Sequence, residues 1–183
     1  PEILKKEAFN YKSRQLTERQ ICDLELLLNG AFAPLAGFMG EADYNSVLKD
    51  LRLKDGYLWP MPITLDVDED FAKEVSSGDK ITLRDHEGFA LAILTISDIF
   101  RPNFKEEAQA VYGTKDETHP AVNYLYNHSN AVYLGGSLEG IALPHHYDYK
   151  ENRHTPEELK AIFKEKGWEK IVAFQTRNPL HRA

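Results

Sequence analysis

The sequence predicts an α+β fold in which a mixed domain with a β-core is followed by the first helix and strand of an α/β domain. Two patterns predict it. Residues 57–134 contain short apolar strand patterns separated by turn signals, which is typical of a small β-barrel or sandwich. Residues 146–183 change to a capped helix followed by the wholly apolar run 171–174, which suits a strand buried on both faces. The polar loop between the patterns divides the chain into domains 1–145 and 146–183.

Helices in the first domain are predicted from capping residues and apolar spacing. Residues 1–15 are polar and are expected to be extended over the surface. Thr17 and Gln20 have the spacing of a capping box, and an apolar stripe follows them up to Gly30, which is expected to end the helix. The loop 31–39 is strongly apolar and must pack against another surface, such as a second domain. Further helices are predicted at residues 44–51, 104–112 and 120–126.

The strands of the first domain are predicted from period-two patterns and turns. Residues 57–67 favour an edge or kinked strand, because Pro60 and Pro62 interrupt them. A hairpin is predicted over residues 80–96, with its turn at 85–88. A further strand at 131–134 is expected to be closed by a turn at Gly135-Gly136.

The second domain begins with strong local signals. Thr155, Pro156 and Glu158 have the pattern of a capped helix start, and Gly167 is expected to end that helix. The apolar run 171–174 then leads into polar residues and the Asn178-Pro179 turn. Pro179 suits the first position of a following helix.

This strand–turn–helix arrangement places polar side chains where open α/β sheets bind ligands, at the carboxyl end of a strand. Arg177 can bind two oxygens of an oxyanion, Gln175 and Asn178 add neutral donors, and His181 lies near a helix start. An ordinary αβ connection with solvated polar residues explains the same spacing equally well.

Composition restricts the function classes. The chain has 183 residues and a net charge of −7, which argues against a nonspecific nucleic-acid or acidic-membrane binder. Cys22 is the only cysteine, so no internal disulfide can form, and a reducing, cytoplasmic location is expected. Neither a membrane span nor a signal peptide is predicted, and the chain is expected to be a fragment because it ends inside a motif.

That motif carries a family resemblance. Residues 175–183, Gln-Thr-Arg-Asn-Pro-Leu-His-Arg-Ala, resemble the ATP sulfurylase (sulfate adenylyltransferase) signature Q-x-R-N-P-x-H-x-x-H, and the chain stops one residue before the second histidine. Upstream similarity covers nearly the whole chain, for example at residues 22–26, 30–35, 37–39, 59–63, 83–85 and 111–114.

The resemblance implies a fold and an activity. It implies a PUA-like β-barrel domain with helices, followed by a Rossmann-like nucleotidyltransferase domain. ATP sulfurylases join sulfate to the α-phosphorus of ATP and release pyrophosphate. By resemblance, Gln175 and Arg177 hold sulfate, Asn178 and His181 face the ATP phosphates, and the backbone of Thr176 contacts the nucleotide. Arg177, Asn178 and His181 are the expected catalytic residues.

The resemblance also implies partners. Mg²⁺ is expected to arrive with ATP, without a tightly bound cofactor or a dedicated protein metal site. A homo-oligomer, dimer or larger, is expected for the full-length protein, with no nucleic-acid or membrane partner. The 183 residues alone are expected to be inactive. The direction of flux and the presence of an APS-kinase domain in a longer chain stay open.

Two alternatives accompany this hypothesis: a PUA-like RNA-binding module, and a β-domain that only supports a catalytic domain.

Other notable residues are expected to be structural. The acidic run 66–70 is predicted to be a solvated turn, and His145, His146 and Asp148 a solvated loop without metal. Cys22 is predicted to be a buried, inert thiol. Trp59 and Trp168 are predicted to pack in cores, and His119 to cap a helix or pack beside it.

Overall fold

The computed structural model describes residues 2–176, and a six-stranded mixed sheet forms the centre of this part of the chain. Its strand order is β1–β4–β5–β6–β2, and β3 also pairs with β6. The β1–β4 pair is parallel, and the other pairs are antiparallel. The strands are β1 (Lys12–Gln15), β2 (Gly37–Phe38), β3 (Leu65–Val67), β4 (Lys80–Arg84), β5 (Ala90–Phe100) and β6 (Val132–Gly140).

Seven α-helices within residues 2–176 precede or follow these strands along the chain. They are α1 (Glu2–Glu7), α2 (Glu18–Leu28), α3 (Glu41–Asp50), α4 (Glu69–Lys73), α5 (Phe104–Tyr112), α6 (Pro120–Asn127) and α7 (Pro156–Glu165), with a 3-10 turn at Lys150–Asn152. The predicted helices α2, α3, α5, α6 and α7 are confirmed. Helix α1 corrects the expectation that residues 1–15 are extended throughout, and α4 occupies part of the acidic run.

Both predicted capping boxes are present. The Thr17 hydroxyl accepts a hydrogen bond from the Gln20 backbone N–H at 3.3 Å, and the Gln20 side chain accepts one from the Thr17 N–H at 3.0 Å. Thr155 and Glu158 make the same reciprocal pair at the start of α7. These bonds satisfy backbone donors that the first helical turn leaves open, which explains why both helices begin where the sequence indicates.

The hydrophobic core lies between the sheet and α2. Ile81, Leu83, Leu94 and Leu134 project from the three central strands, and Leu24 of α2 packs against them; none of these side chains is exposed. Burying one such side chain contributes about 1.5–3 kcal/mol. The core therefore fixes α2 against one face of the sheet.

Gly135 and Gly136 lie inside β6, so the prediction that they close a strand is wrong. A Cβ atom at Gly136 would overlap the Thr95 carbonyl of β5, and one at Gly135 would lie 2.6 Å from the Met39 carbonyl oxygen. The β5–β6 register also shifts between Ile96 and Asp98. The glycines are needed because neighbouring backbones approach β6 closely at this point.

The apolar loop 31–39 packs on the core of its own domain. It contains β2, and both Phe38 and Met39 are buried. The Phe32 ring meets Trp59 edge to face at 5.7 Å, and both side chains pack against the core. The expected core position of Trp59 is thus confirmed in a half-buried form, whereas Ala31, Ala33, Pro34 and Ala36 of this loop are exposed.

The predicted strands at 57–67 and 171–174 differ from the structure. Only Leu65–Val67 of the first is a strand. Residues 171–174 have no helix or strand assignment, and Val172 is 95% exposed. A buried parallel strand needs hydrogen-bonded neighbours on both sides, and no strand within residues 2–176 pairs with this run. Trp168 is also 54% exposed, so its predicted core position is wrong, although its ring stacks on Phe163 at 6.0 Å.

Candidate functional site

The structure describes part of the predicted oxyanion site. Gln175 and Thr176 are exposed and belong to no helix or strand. Arg177, Asn178 and His181 lie outside the described residues. The strand expected to present these residues is not formed between residues 171 and 176.

A buried carboxylate in β3 forms the centre of a different polar site. Asp66 is 4% exposed, and each of its carboxylate oxygens accepts two hydrogen bonds. Oδ1 accepts from Arg19 Nη2 at 2.6 Å and Gln20 Nε2 at 2.8 Å. Oδ2 accepts from the backbone N–H and the side-chain amide of Asn130, both at 2.9 Å. The prediction that residues 66–70 form a solvated turn is therefore wrong at Asp66.

Arg19 links Asp66 to a second carboxylate, Asp23, through a contact of 3.0 Å between Nη1 and Oδ2. Burial alone would lower the pKa of Arg19, but the two carboxylates and Tyr124 hold it above its ordinary value. Burial raises the pKa of Asp23, an effect that Arg19 opposes and Asp66 reinforces. The guanidinium therefore stays charged between two acids and neutralises only one of them.

Glu107 of α5 is a third acid in this region and is 7% exposed. Its Oε2 atom accepts hydrogen bonds from the Tyr44 hydroxyl at 2.8 Å and the Tyr133 hydroxyl at 3.2 Å. Burial raises the pKa of Glu107, and the two phenols oppose that shift only in part. Burial and the adjacent Glu107 carboxylate also raise the pKa of both tyrosines, so the phenols remain neutral donors.

A cavity of about 220 Å³ lies beside these groups. A larger groove of about 670 Å³ exists elsewhere on the domain, but Phe9, Phe89 and Tyr147 in its walls are 64–79% exposed. The smaller cavity has the buried ionisable groups, and perturbed ionisable groups in a cavity indicate a candidate site. Its polar and aromatic walls include Arg19, Asp23, Glu107, Tyr112, Tyr124 and Tyr133.

No sequence signal singled out this site, because its residues come from α2, β3, α5, α6 and β6. Asp66 alternates with the apolar Leu65 and Val67, a pattern that normally directs the polar residue to solvent. Here both faces of β3 are covered, and all three residues are buried. The one unusual feature of the local sequence is an acidic residue, Asp66, between two apolar residues of a strand.

Other predicted features have clear positions. Within residues 2–176, no group of three or more His, Cys, Asp and Glu side chains is arranged to hold a metal ion. His146 Nε2 contacts Glu25 Oε1 of α2 at 2.7 Å, so this histidine is not merely solvated as predicted. His119 precedes α6 as its cap residue and stacks on Tyr112, as expected. Cys22 is exposed, so the buried-thiol prediction is wrong.

The same stretch of chain holds no candidate membrane span. Every helix between residues 2 and 176 is too short or too polar to cross a bilayer.

Comparison with known families matches two segments in order. Residues 1–143 match the model of the PUA-like domain. The chain belongs to the PUA-like domain family. Residues 150–183, which follow this PUA-like domain, match the ATP-sulfurylase family. The predicted ATP sulfurylase resemblance and its PUA-like, α+β fold class are confirmed.

Curated relatives of this PUA-like chain are named sulfate adenylyltransferase. The protein of Chaetomium globosum is 54% identical over 183 residues, covering 98% of this chain and 32% of its own length. Those of Eremothecium gossypii and Saccharomyces cerevisiae are 53% and 52% identical over 168 residues, covering 92% of this chain. The chain spans about one third of the length of the curated relatives it matches.

A solved structure shares the fold over the whole chain. It is described as a hexameric APS kinase from Thiobacillus denitrificans, and it is similar with a TM-score of 0.79 and 38% sequence identity. The similarity covers 100% of this chain and 32% of that protein.

Proposed function

We propose that this chain supplies the PUA-like domain and the substrate-binding turn of a sulfate adenylyltransferase, which converts ATP and sulfate into adenylyl sulfate and pyrophosphate. One observation carries the proposal. Relatives 49–54% identical to this chain bear that name, and the similarity of several of them covers 98% of the chain. The ATP-sulfurylase match extends over the motif at residues 175–183.

The motif side chains suit the chemistry of two anions that repel each other. Arg177 and Gln175 bind sulfate, and Asn178 and His181 bind the ATP phosphates. His181 stabilises the charge of the pentavalent transition state, while the backbone of Thr176 contacts the nucleotide. The reaction requires no covalent enzyme nucleophile, so positioning and electrostatic stabilisation provide most of the catalysis. Mg²⁺ arrives as the counter-ion of ATP.

The proposal includes the division into domains 1–145 and 146–183. The sheet ends at Gly140, and the next helix begins at Pro156 after a stretch with only a 3-10 turn. The proposed protein acts in the cytoplasm, where ATP is available, as a homo-oligomer of two or more subunits. The description of the solved relative as hexameric supports the oligomer.

A chimera tests the proposed activity. This chain replaces the matching third of the Saccharomyces cerevisiae relative, which is 52% identical to it. We expect the chimera to release pyrophosphate from ATP only when sulfate is present, and to make ATP from adenylyl sulfate and pyrophosphate. The 183-residue chain alone should be inactive, because Gln175 is exposed outside any sheet. A folded but inactive chimera, together with RNA binding at low salt, would favour an RNA-binding module.

Substitutions in the active chimera test the individual roles. Arg177→Ala should raise the sulfate KM or lower turnover, because it removes a charge-assisted contact worth about 1.5–3 kcal/mol. His181→Ala should lower kcat more than ATP affinity. Arg182→Ala and His154→Ala are matched controls at positions that the signature leaves variable or does not include. Unchanged kinetics in Arg177→Ala, or a pure loss of ATP binding in His181→Ala, would refute the assigned role.

A further inference from the structure

A groove of about 670 Å³ lies on the first domain and shares no lining residue with the cavity beside Glu107. Three segments that are distant in sequence form its walls. They are residues 5–9 around the end of α1, the β4–β5 turn region 84–91, and residues 142–147 after β6. The groove is therefore a feature of the tertiary structure that no single segment encodes.

Large apolar side chains in these walls face solvent. Phe9, Phe89 and Tyr147 are 64–79% exposed, and Leu143 is 43% exposed. One exposed apolar side chain is ordinary on a protein surface, because polar atoms are too few to cover it. Four around one concave surface form a patch, and contiguous exposed apolar patches mark sites of interaction with another body. The groove is therefore a candidate docking surface.

The groove keeps its shape through contacts within the domain. Arg84 Nη1 donates to the Gly88 carbonyl oxygen at 2.9 Å, and Asp85 Oδ1 accepts from the Phe89 backbone N–H at 2.8 Å. The Arg84 guanidinium also lies 5.8 Å from the centroid of the Phe9 ring. These contacts fix the turn that carries Phe89 and hold the Phe9 ring, so a partner meets a preformed surface that loses little conformational freedom on binding.

The third wall of the groove connects the two segments that known families match. The PUA-like match ends at residue 143, and the ATP-sulfurylase match begins at residue 150. Leu143 and Tyr147 lie at or between these bounds and line the groove. His146 Nε2 contacts Glu25 Oε1 at 2.7 Å, which ties this connection to α2. The chain therefore enters its second segment beside the groove.

The sulfate adenylyltransferases that resemble this chain are much longer than it is. The chain covers about one third of their length, so about two thirds of each relative lies outside the matched region. Interfaces between domains of one chain bury roughly 600–1,500 Å². In such a protein the catalytic portion is joined to the first domain by the short connection 144–149. We therefore expect it to cover apolar surface close to that connection, where the groove lies.

We propose that this groove is the docking surface for the catalytic portion of a sulfate adenylyltransferase. The inference rests on the proposed function, because that function supplies the catalytic portion. Apolar side chains of the catalytic portion fill the groove against Phe9, Phe89 and Tyr147. The exposed Lys5 and Glu87 side chains form part of a hydrated rim, as in other interfaces with an apolar centre.

Cysteine labelling compares the groove with and without its partner. Phe89→Cys and Tyr147→Cys are placed separately in the 183-residue chain and in the chimera with the Saccharomyces cerevisiae relative. Digestion and mass spectrometry follow the reaction of each site with N-ethylmaleimide, so Cys22 and the cysteines of the other portion do not interfere. Both sites should react at least about tenfold more slowly in the chimera, because only a minor undocked state exposes them.

Matched variants separate docking from a general change in reactivity. Asp70→Cys is the labelling control, because the Asp70 side chain is 91% exposed and does not line the groove, and it should react equally fast in both proteins. Phe89→Asp in the chimera should restore fast labelling of Tyr147→Cys, because docking would then bury an unpaired charge. His86→Asp, at an exposed position of the same turn that does not line the groove, should leave Tyr147→Cys protected.

Three results would overturn the docking surface. The first is equal labelling of Phe89→Cys and Tyr147→Cys in the chimera and in the 183-residue chain. The second is protection in the 183-residue chain alone that grows with its concentration, since a second copy is then the occupant. The third is continued protection of Tyr147→Cys in the folded Phe89→Asp chimera.

Pyrophosphate release by the same chimera distinguishes this inference from the proposed function. An active chimera with an unprotected groove refutes the docking surface and leaves the activity standing. A folded, inactive chimera with a protected groove refutes the activity and supports the docking surface.

Discussion

Replacing Asp66 by asparagine tests whether the buried carboxylate stabilises the first domain. The change keeps the size of the side chain but replaces one of two accepting oxygens with an NH₂ group. Each oxygen accepts two hydrogen bonds, so in either amide orientation two donors face another donor. Asn130 can turn its side-chain amide, but its backbone N–H cannot turn. The negative charge that pairs with Arg19 is lost in both orientations.

The expected loss of stability is about 3–5 kcal/mol, the range for removing one member of a buried ion pair. Two lost charge-assisted hydrogen bonds, each worth about 1.5–3 kcal/mol, give a similar range. A domain of ordinary stability has about 5–15 kcal/mol in total, so Asp66→Asn should lower the urea midpoint markedly or prevent folding.

Urea unfolding followed by circular dichroism measures the free energy of unfolding for each variant. Asp70→Asn is the control, because Asp70 lies in the same acidic run and its side chain is 91% exposed, and among residues 2–176 it pairs only with Lys73. It should change stability by less than about 0.5 kcal/mol. If Asp66→Asn stays within about 1 kcal/mol of wild type, the hydrogen bonds to Asp66 do not contribute as reasoned.

Three further outcomes are expected. The pKa of Glu107 is higher in the folded state than in the unfolded state, where it is about 4.3. Ionisation of Glu107 therefore lowers the stability of the folded state as the pH rises above the unfolded pKa, and has no such effect at lower pH. Wild type should therefore lose stability relative to Glu107→Gln as pH rises from about 4 to 8, and a constant difference in urea midpoint would contradict this. Gly136→Ala should destabilise by about 1–3 kcal/mol, because its Cβ overlaps the Thr95 carbonyl. Gly140→Ala, whose Cβ would lie 3.2 Å from the Leu28 side chain, should cost less in the same urea assay. Thr17→Ala should lower the free energy of unfolding by about 1 kcal/mol because it removes the side-chain cap of α2, whereas Thr17→Ser should keep the cap. Equal urea midpoints for the two variants would refute the role of the hydroxyl.

Features that depend on a few neighbouring residues were predictable. The bounds of β4 and α5 agree with the sequence prediction at both ends. Gly113 ends α5 with φ +71°. Thr17 caps the start of α2, because its side chain accepts a hydrogen bond from the Gln20 backbone N–H. Capping bonds and left-handed turns form within four or five residues, so their signals are complete in the local sequence.

Features that depend on distant residues were predicted less well. The apolar run 171–174 has the composition of a buried strand, but a strand exists only beside hydrogen-bonded neighbours. Gly135 and Gly136 resemble a turn, yet in the structure they allow Met39 and Thr95 to approach β6. In each case the local pattern fits two structures, and contacts with the rest of the chain select one of them.

The sequence by itself determined where α2, α5, α6 and α7 begin, the acidic net charge of −7 and the motif from Gln175 to His181 that carries the ATP sulfurylase resemblance. Only the tertiary structure decided that Asp66 and Glu107 are buried and that Arg19 pairs with both Asp66 and Asp23. The physical reason is that hydrogen bonding and loss of water depend on which groups meet in space. Asp66 is 47 residues from Arg19 and 64 from Asn130 along the chain, so no local pattern predicts that they bind one another.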